Sequence, residues 1–328
     1  MCWLSKQTPC LGPRMRSRME NTKVLRALVA IVAIAFLAPR AWAAPMAVTE
    51  VAPGVYVHQG RHEVQSADNR GDISNASFVV GSEAVAIIDT SGSLALGQEL
   101  REAVRGLTDK PIKYVINTHM HPDHVLGNAA FKQDNPIFVG HYKLARALGT
   151  RSESYTTANK QMLGEDGFEG SEIILPTFLI KETTTLDLGD RTLVLEPQQT
   201  AHTDNDLVVT DTKTDTLFLG DLLFSGHIPT IDGSIEGWLE VLDALTQREV
   251  ARVIPGHGPP MMAWPEALEA QQRYLATVAQ DVRRQIAEGK TLSDATKTAG
   301  FSEADNWELF DQYHVRNVTA AFAELEWN

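Results

Sequence analysis

The stretch 117-NTHMHPDHVLGNAAF-131 governs how the rest of the chain is read. It places His119, His121, Asp123 and His124 within six positions. In extended backbone, residues two apart point to the same side, so His119 and His121 converge on one point. Pro122 suits the first turn of a helix. Asp123 and His124 then lie in that turn and face a second point, so one segment can feed two metal ions. Imidazoles gathered beside a carboxylate at the end of a buried strand form a metal-ligand pattern. Asp123 is also of the type that caps a helix N-terminus.

Three later positions of ligand type stand where apolar strands meet polar or glycine-rich loops. His202 lies in 200-TAHTDND-206, Asp221 ends the apolar strand of 217-LFLGDLLF-224, and His257 lies in 253-VIPGHGP-259. An acid directly after an apolar run is costly to bury unless paired or metal-bound. Strand ends in layered folds are where sites assemble.

Outward from these points the chain alternates strands and helices. Residues 44–55 read as a short lead-in. The runs 54-GVYVHQG-60, 76-ASFVVG-81 and 84-AVAIIDT-90 read as a meander, and 95-ALGQELREAVRGL-107 has a helical period. The strand 111-PIKYVINT-118 delivers the histidines, and 136-PIFVG-140 and 141-HYKLARAL-148 follow as strand and helix. Residues 149–180 are polar and are expected to form a helix or a lid. A second group of strands follows at 185–189, 191–197, 206–211, 216–221 and 250–256, with an amphipathic helix at 235–245. From Pro265 the chain turns helical, with a long helix to Gly289 and two or three short helices in the tail. The plan fits two sheets packed face to face with helices outside, a single large α/β domain.

This arrangement resembles the metallo-β-lactamase fold superfamily of hydrolases, through 119-HMHPDH-124, His202, Asp221 and His257, with 89-DT-90 as a supporting early acid. The resemblance runs over roughly residues 50–262. It implies a four-layer αββα sandwich, here with a C-terminal helical extension. It also implies two zinc ions, one held by His119, His121 and His202, the other by Asp123, His124 and His257, with Asp221 bridging. The stretches 86–131 and 312-QYHVRNVTAAFAELE-326 look similar to an exported branch, the quinoprotein relay system zinc metallohydrolases, related to the SoxH-type proteins. That likeness implies a periplasmic quinoprotein dehydrogenase or cytochrome as partner.

The N-terminus carries an export pattern. A basic stretch ends near Arg26, followed by the apolar run 27-ALVAIVAIAFLAP-39 and the small-x-small 41-AWA-43. The apolar run is shorter than a membrane span wants, so a cleaved signal peptide over 1–43 is preferred to an anchor. Domains are then expected as 1–43 leader, 44–264 αββα domain and 265–328 helical extension on the same domain. Both cysteines, Cys2 and Cys10, precede the apolar run, so the exported protein has neither disulfide nor thiolate nucleophile. The net charge is −13, and residues 1–43 hold seven of the 29 basic residues. The remainder is more acidic still, which repels phosphate backbones and argues against a nucleic-acid partner. No nucleophile elbow, P-loop or dinucleotide fingerprint is present.

A zinc pair can hold a bridging hydroxide that is nucleophilic at neutral pH. Asp123 would orient it as well as bind metal, and is the catalytic candidate. The expected function is an exported dinuclear zinc hydrolase attacking an ester-type bond of a small molecule in the periplasm. A β-lactamase, a thioesterase or sulfatase, and a non-catalytic metal-stabilised partner of a dehydrogenase stay open. Glyoxalase II is disfavoured because its glutathione-binding residues are not recognisable. A two-iron redox relative is disfavoured because its glutamate is missing from HMHPDH. Asp89 is a candidate to hold the outer N–H of a ligating histidine, or simply a turn acid. Asp204 and Asp206 are weaker candidates for the same role. Trp238, Phe224 and His227 are candidate pocket-lining groups, or core packing.

Overall fold

Apolar runs too continuous to leave either face in water build two sheets. In β3 (Ala76–Val80) and β4 (Val85–Ile88) nearly every residue is buried. The two-residue period of a strand sends Ala86 and Ile88 into the core between the sheets. The same period sends Val85 and Ile87 to the opposite face, under α1 (Leu94–Leu107). The second sheet repeats the device. Val209 and Phe218 point between the sheets, whereas Val208, Leu217 and Leu219 pack under helices on the other side. The result is an αββα sandwich. This computed structural model describes residues 44–327, so the predicted leader 1–43, with Cys2 and Cys10, lies outside the described residues.

The first sheet has seven strands in the spatial order β1 (Thr49–Ala52), β2 (Val55–His58), β3, β4, β5 (Ile112–Ile116), β6 (Ile137–His141), β7 (Phe178–Ile180). It is antiparallel from β1 to β4 and parallel from β4 to β7. β8 (Thr184–Asp187), β9 (Thr192–Pro197), β10 (Leu207–Asp211), β11 (Thr216–Phe224) and β12 (Arg252–His257) form the second sheet, in the order β12-β11-β10-β9-β8. Only β11 and β12 pair in parallel there. β1 falls in the segment expected to be a lead-in. Its sequence, TEVA, has no apolar period because it is a half-exposed edge strand.

The polar stretch after β6 is mostly helix: α3 (Leu144–Phe168) breaks at Gly164, where φ is 76°. The short α2 (Pro122–Val125) has Pro at its start, as the sequence leads one to expect. On the outer face of the second sheet, α4 (Ile235–Thr246) packs beside α5 (Glu269–Ala287) and, after the short α6 (Leu292–Ala295), α7 (Phe310–Leu325). The last of these is longer than the short tail helices anticipated. Trp238, Leu242, Tyr274, Val278, Val318 and Phe322 share one core with the strands beneath. Each such burial is worth about 1.5–3 kcal/mol, so the extension completes a layer. Among the described residues, no helix is long and apolar enough to cross a membrane.

Candidate metal centre

The ends of β5 and β12, the loop after β9 and the interior of β11 bring the polar groups to one point. β5 stops at Ile116, the chain bends through His119, and His121 is extended just before Pro122 starts α2, so the expected extended run from His119 to His121 is replaced by a bend. The turn is locked from behind. Asn117 Nδ2 donates to the His124 carbonyl at 3.1 Å, and Asn128 Nδ2 donates to Asn117 Oδ1 at 2.8 Å. Asp221 does not end β11 as expected, since the strand runs on to Phe224. Its register shifts on either side of Gly220, where φ is 51°, and this kink turns Asp221 toward the site. Gly256, on the neighbouring β12, is needed for that approach. A Cβ there would stand 2.0 Å from Asp221 Oδ1.

All seven sequence-predicted positions meet. His119, His121, His202 and Asp221 form one group of converging ligand atoms, and Asp123, His124 and His257 form another. His119 Nε2 lies 3.1 Å from His121 Nδ1, and His202 Nε2 lies 2.9 Å from the same atom. The edges of a zinc tetrahedron with ordinary Zn–N bonds are about 3.3–3.4 Å. Asp221 stands between the groups. Its Oδ2 is 3.5 Å from His119 Nε2, 3.4 Å from His202 Nε2 and 3.4 Å from His257 Nε2, while Oδ1 is 3.0 Å from His124 Nε2. Asp123 Oδ2 is 3.5 Å from His124 Nε2 and 3.4 Å from His257 Nε2.

The donor set fits divalent metal. His124 Nε2 and Asp221 Oδ1 are buried and satisfied by no hydrogen bond. Orphaned buried polar atoms cost free energy. Two that face each other across a histidine–aspartate gap are the atoms a cation would satisfy.

The outer ring nitrogens of His119, His121, His124 and His202 are held in turn, which fixes which nitrogen of each faces inward. His124 Nδ1 pairs with Asp89 Oδ2 at 2.8 Å. Asp89 also accepts from Thr118 N at 2.8 Å and Thr118 Oγ1 at 2.7 Å, and that hydroxyl reaches His119 Nδ1 at 3.0 Å. Asp89 sits at φ 57°, a left-handed conformation that aspartate tolerates better than most residues. His202 Nδ1 donates to the Thr230 carbonyl at 2.7 Å, and His121 Nε2 pairs with Asp232 Oδ2 at 3.1 Å. Asp204 and Asp206 touch no ligand histidine: Asp204 meets Arg146, and Asp206 accepts from Thr203.

Charge divides the two groups in the metal-free protein. Burial, reinforced by neighbouring His124, His121 and His202, drives His119 well below the ordinary histidine value. Burial likewise lowers His202 to about 3, with His121 adding to it against the pull of Asp221. Burial opposes protonation of His124 too, but Asp221, Asp123 and Asp89 overcome it and raise His124 well above normal. Asp221 and Asp123 raise His257 to about 9 in the same way, against the effect of burial. The first cluster is thus ready to ligate, whereas the second holds protons that a metal must displace.

A cavity of ≈ 190 Å³ opens onto the centre, lined by His121, Asp123, Asp221 and His257 and by apolar Val64, Ile73, Met162 and Phe224. Phe224 and His227 do line it. Trp238 does not: it is fully buried, edge-on to His202 at 5.2 Å, with its indole N–H donating to the Leu222 carbonyl. Its spacing with Val241, Leu242 and Leu245 on α4 was the signal for a core position. Sequence reasoning missed Thr230 and Asp232, because 229-PTIDGS-234 reads only as a turn. It also missed what braces them. Asn317 of α7 accepts from Ile231 N at 2.9 Å and donates to the Pro229 carbonyl at 2.6 Å, gripping both neighbours of Thr230. Asn317→Ala is expected to cost about 2–4 kcal/mol by leaving two buried backbone groups unpaired. It should also weaken zinc at the His202 cluster. Denaturant unfolding and competition with a zinc chelator read the two effects.

The Linear primary-alkylsulfatase of Pseudomonas sp. (strain ATCC 19151) is 34% identical over 62 residues, 19% of this chain and 12% of that protein. The chain therefore matches only a small part of that relative's length. A metallo-beta-lactamase from Pontibacter korlensis superposes with a TM-score of 0.57 at 20% identity, covering 70% of this chain and 98% of that one. TMB-1 superposes with a TM-score of 0.54 at 19% identity, covering 71% and 97%. Both likenesses concern the fold. The profile of the metallo-beta-lactamase superfamily matches residues 69–257, over half of the chain, and the chain belongs to that superfamily.

Proposed function

We propose that the protein is a dinuclear zinc hydrolase acting on an ester-type bond of a small molecule. The observation that carries this reading is Asp221, whose two carboxylate oxygens lie within 3.5 Å of four imidazole nitrogens drawn from both clusters. A carboxylate so placed can serve two cations at once. Zinc bound by these residues would supply Lewis acidity toward a carbonyl, phosphoryl or sulfuryl oxygen and would make water acidic enough to be a nucleophile near neutral pH.

The chain's own residues do the rest. Asp123 faces the cavity as a buried carboxylate, placed to accept a hydrogen bond from an attacking water and so orient it. Asp89 holds His124 directly and His119 through Thr118. Buried Ile73 and Phe224 make part of the cavity lining apolar.

Among ester types, a sulfate ester is the second reading, favoured by the likeness over 62 residues to an alkylsulfatase. Export to the periplasm and association with a quinoprotein dehydrogenase or cytochrome belong to this reading too. They rest on the sequence patterns at 1–43, 86–131 and 312–326. The test is metal analysis of the purified protein, then hydrolysis assays on carboxylic esters, thioesters, phosphodiesters, aryl and alkyl sulfates and a chromogenic β-lactam. Two equivalents of zinc with turnover in an ester class are expected. Two equivalents with no turnover in any class would leave a metal-stabilised binding protein.

A further inference from the structure

The mouth of the metal cavity is built partly by the C-terminal extension. Tyr313 and Arg316, one turn apart on the same face of α7, line it together with Val64 and Met162. Tyr313 packs against His227, ring centroids 5.3 Å apart, and this seats that face of the helix on the cavity wall. Val64 and Met162 are 46% and 39% exposed, large apolar groups left open beside the opening. They come from separate segments, joined where Gln65 Nε2 donates to Asn159 Oδ1 at 2.8 Å.

Arg316 is the single lysine or arginine among the lining residues. Its side chain is 57% exposed, and its one ion-pair contact among the described residues is to Asp232 Oδ1 at 3.4 Å. It makes no hydrogen bond among the described residues. Asp232 is already engaged through its other oxygen by His121. A guanidinium carries five N–H donors in a planar fork suited to carboxylate or sulfate oxygens. On a chain of net charge −13, an anion gains little from the surface at large and needs a local cation.

We propose that Arg316 binds an anionic group of the substrate, so that the site selects ester-type molecules carrying a negative charge some bonds away from the scissile one, with an apolar stretch between. The spacing follows from the chain of contacts. Arg316 is separated from the ligand cluster by one aspartate and one imidazole, and the apolar side chains of Val64 and Met162 flank the opening. The proposal rests on the hydrolase reading for its chemistry, while the binding itself is measurable without turnover.

The test compares 4-nitrophenyl hexanoate with the 4-nitrophenyl monoester of adipic acid, which share chain length and leaving group. The wild type should prefer the adipate ester in kcat/KM by roughly 10- to 100-fold, the worth of one hydrogen bond to a charged group. In Arg316→Gln that ratio should fall toward one through a rise in KM for the charged ester, and Arg316→Lys should recover part of it. Calorimetry of hexanoate and adipate binding to the zinc-loaded protein provides a readout free of turnover. Adipate should bind more tightly to the wild type, and the difference should vanish in Arg316→Gln. If neither ester is hydrolysed, the hydrolase reading fails for carboxylic esters, yet the calorimetric difference still decides the role of Arg316. Equal losses for both esters with lowered zinc content in Arg316→Gln would overturn the proposal and make Arg316 a support for Asp232. No preference for the charged ligand in either measurement would overturn it as well.

Discussion

Asp221→Ala is expected to lower kcat/KM by about 1000-fold or more and to leave at most one tightly held zinc per chain. The reason is geometric. Asp221 is within 3.5 Å of an inward nitrogen of His119, His124, His202 and His257, so its loss uncouples both clusters. Charge stabilisation by a catalytic metal is worth several kcal/mol, and each 1.36 kcal/mol is tenfold in rate. Asp221→Asn keeps the shape but removes the charge, and should fall nearly as far. Metal analysis, turnover on the best substrate class and a circular dichroism spectrum together check the outcome. Two retained zinc ions with near-normal turnover in either variant would remove Asp221 from the centre of the chemistry.

Stripping the metal should abolish activity, restore it on return of zinc, and lower the melting temperature. A ligand held at a thousand times its Kd contributes about 4 kcal/mol, so a fall of about 10 °C is expected. The size of that fall should depend on pH, with a definite sign. In the metal-free protein His257 titrates at about 9 rather than the ordinary 6.5. Its folded-state value is raised, so the stability it brings is complete below about pH 6.5 and is lost as pH climbs toward 9. Metal ligands must be deprotonated, so zinc at the Asp123–His124–His257 cluster binds more tightly over the same range. The gap in Tm between loaded and stripped protein should therefore widen from pH 6.5 to 9. Calorimetric zinc titrations in buffers of different ionisation enthalpy should show the second equivalent releasing more protons than the first, because His119 and His202 are already neutral. A gap that narrows with pH would contradict this protonation pattern.

Much of the fold could be read from residues alone because the strands are buried on both sides. β4 reads as an uninterrupted apolar segment whose faces alternate between two cores, and β11 begins the same way from Leu217 to Leu219 before Gly220 and Asp221 break the pattern. β1 could not be read, since an edge strand of sequence TEVA has one side in water and no pattern to show. The ligands could be read because histidine and aspartate at strand ends are conspicuous. Their supports were harder. Asp89 was visible as an acid after an apolar strand, but Asp232 sits in a turn-like run and meets His121 only across a sequence separation of 111 positions. Arg316 and Asn317 lie on a helix that was anticipated. Which face it turns toward the metals is decided by the packing of Val318 and Phe322 against α4 and α5, not by any local pattern.

The placement of α7 also bears on the order in which the molecule is made. Strands and helices emerge from the ribosome in sequence, and early segments collapse before late ones exist. All seven candidate histidine and aspartate ligands precede residue 258, so a nascent chain can gather them while the sixty residues up to Asn317 are still being synthesised. Until Asn317 arrives, however, the Thr230 carbonyl that orients His202 lacks its brace. The centre should therefore mature late, reaching its working geometry only after Asn317 has been made and has packed.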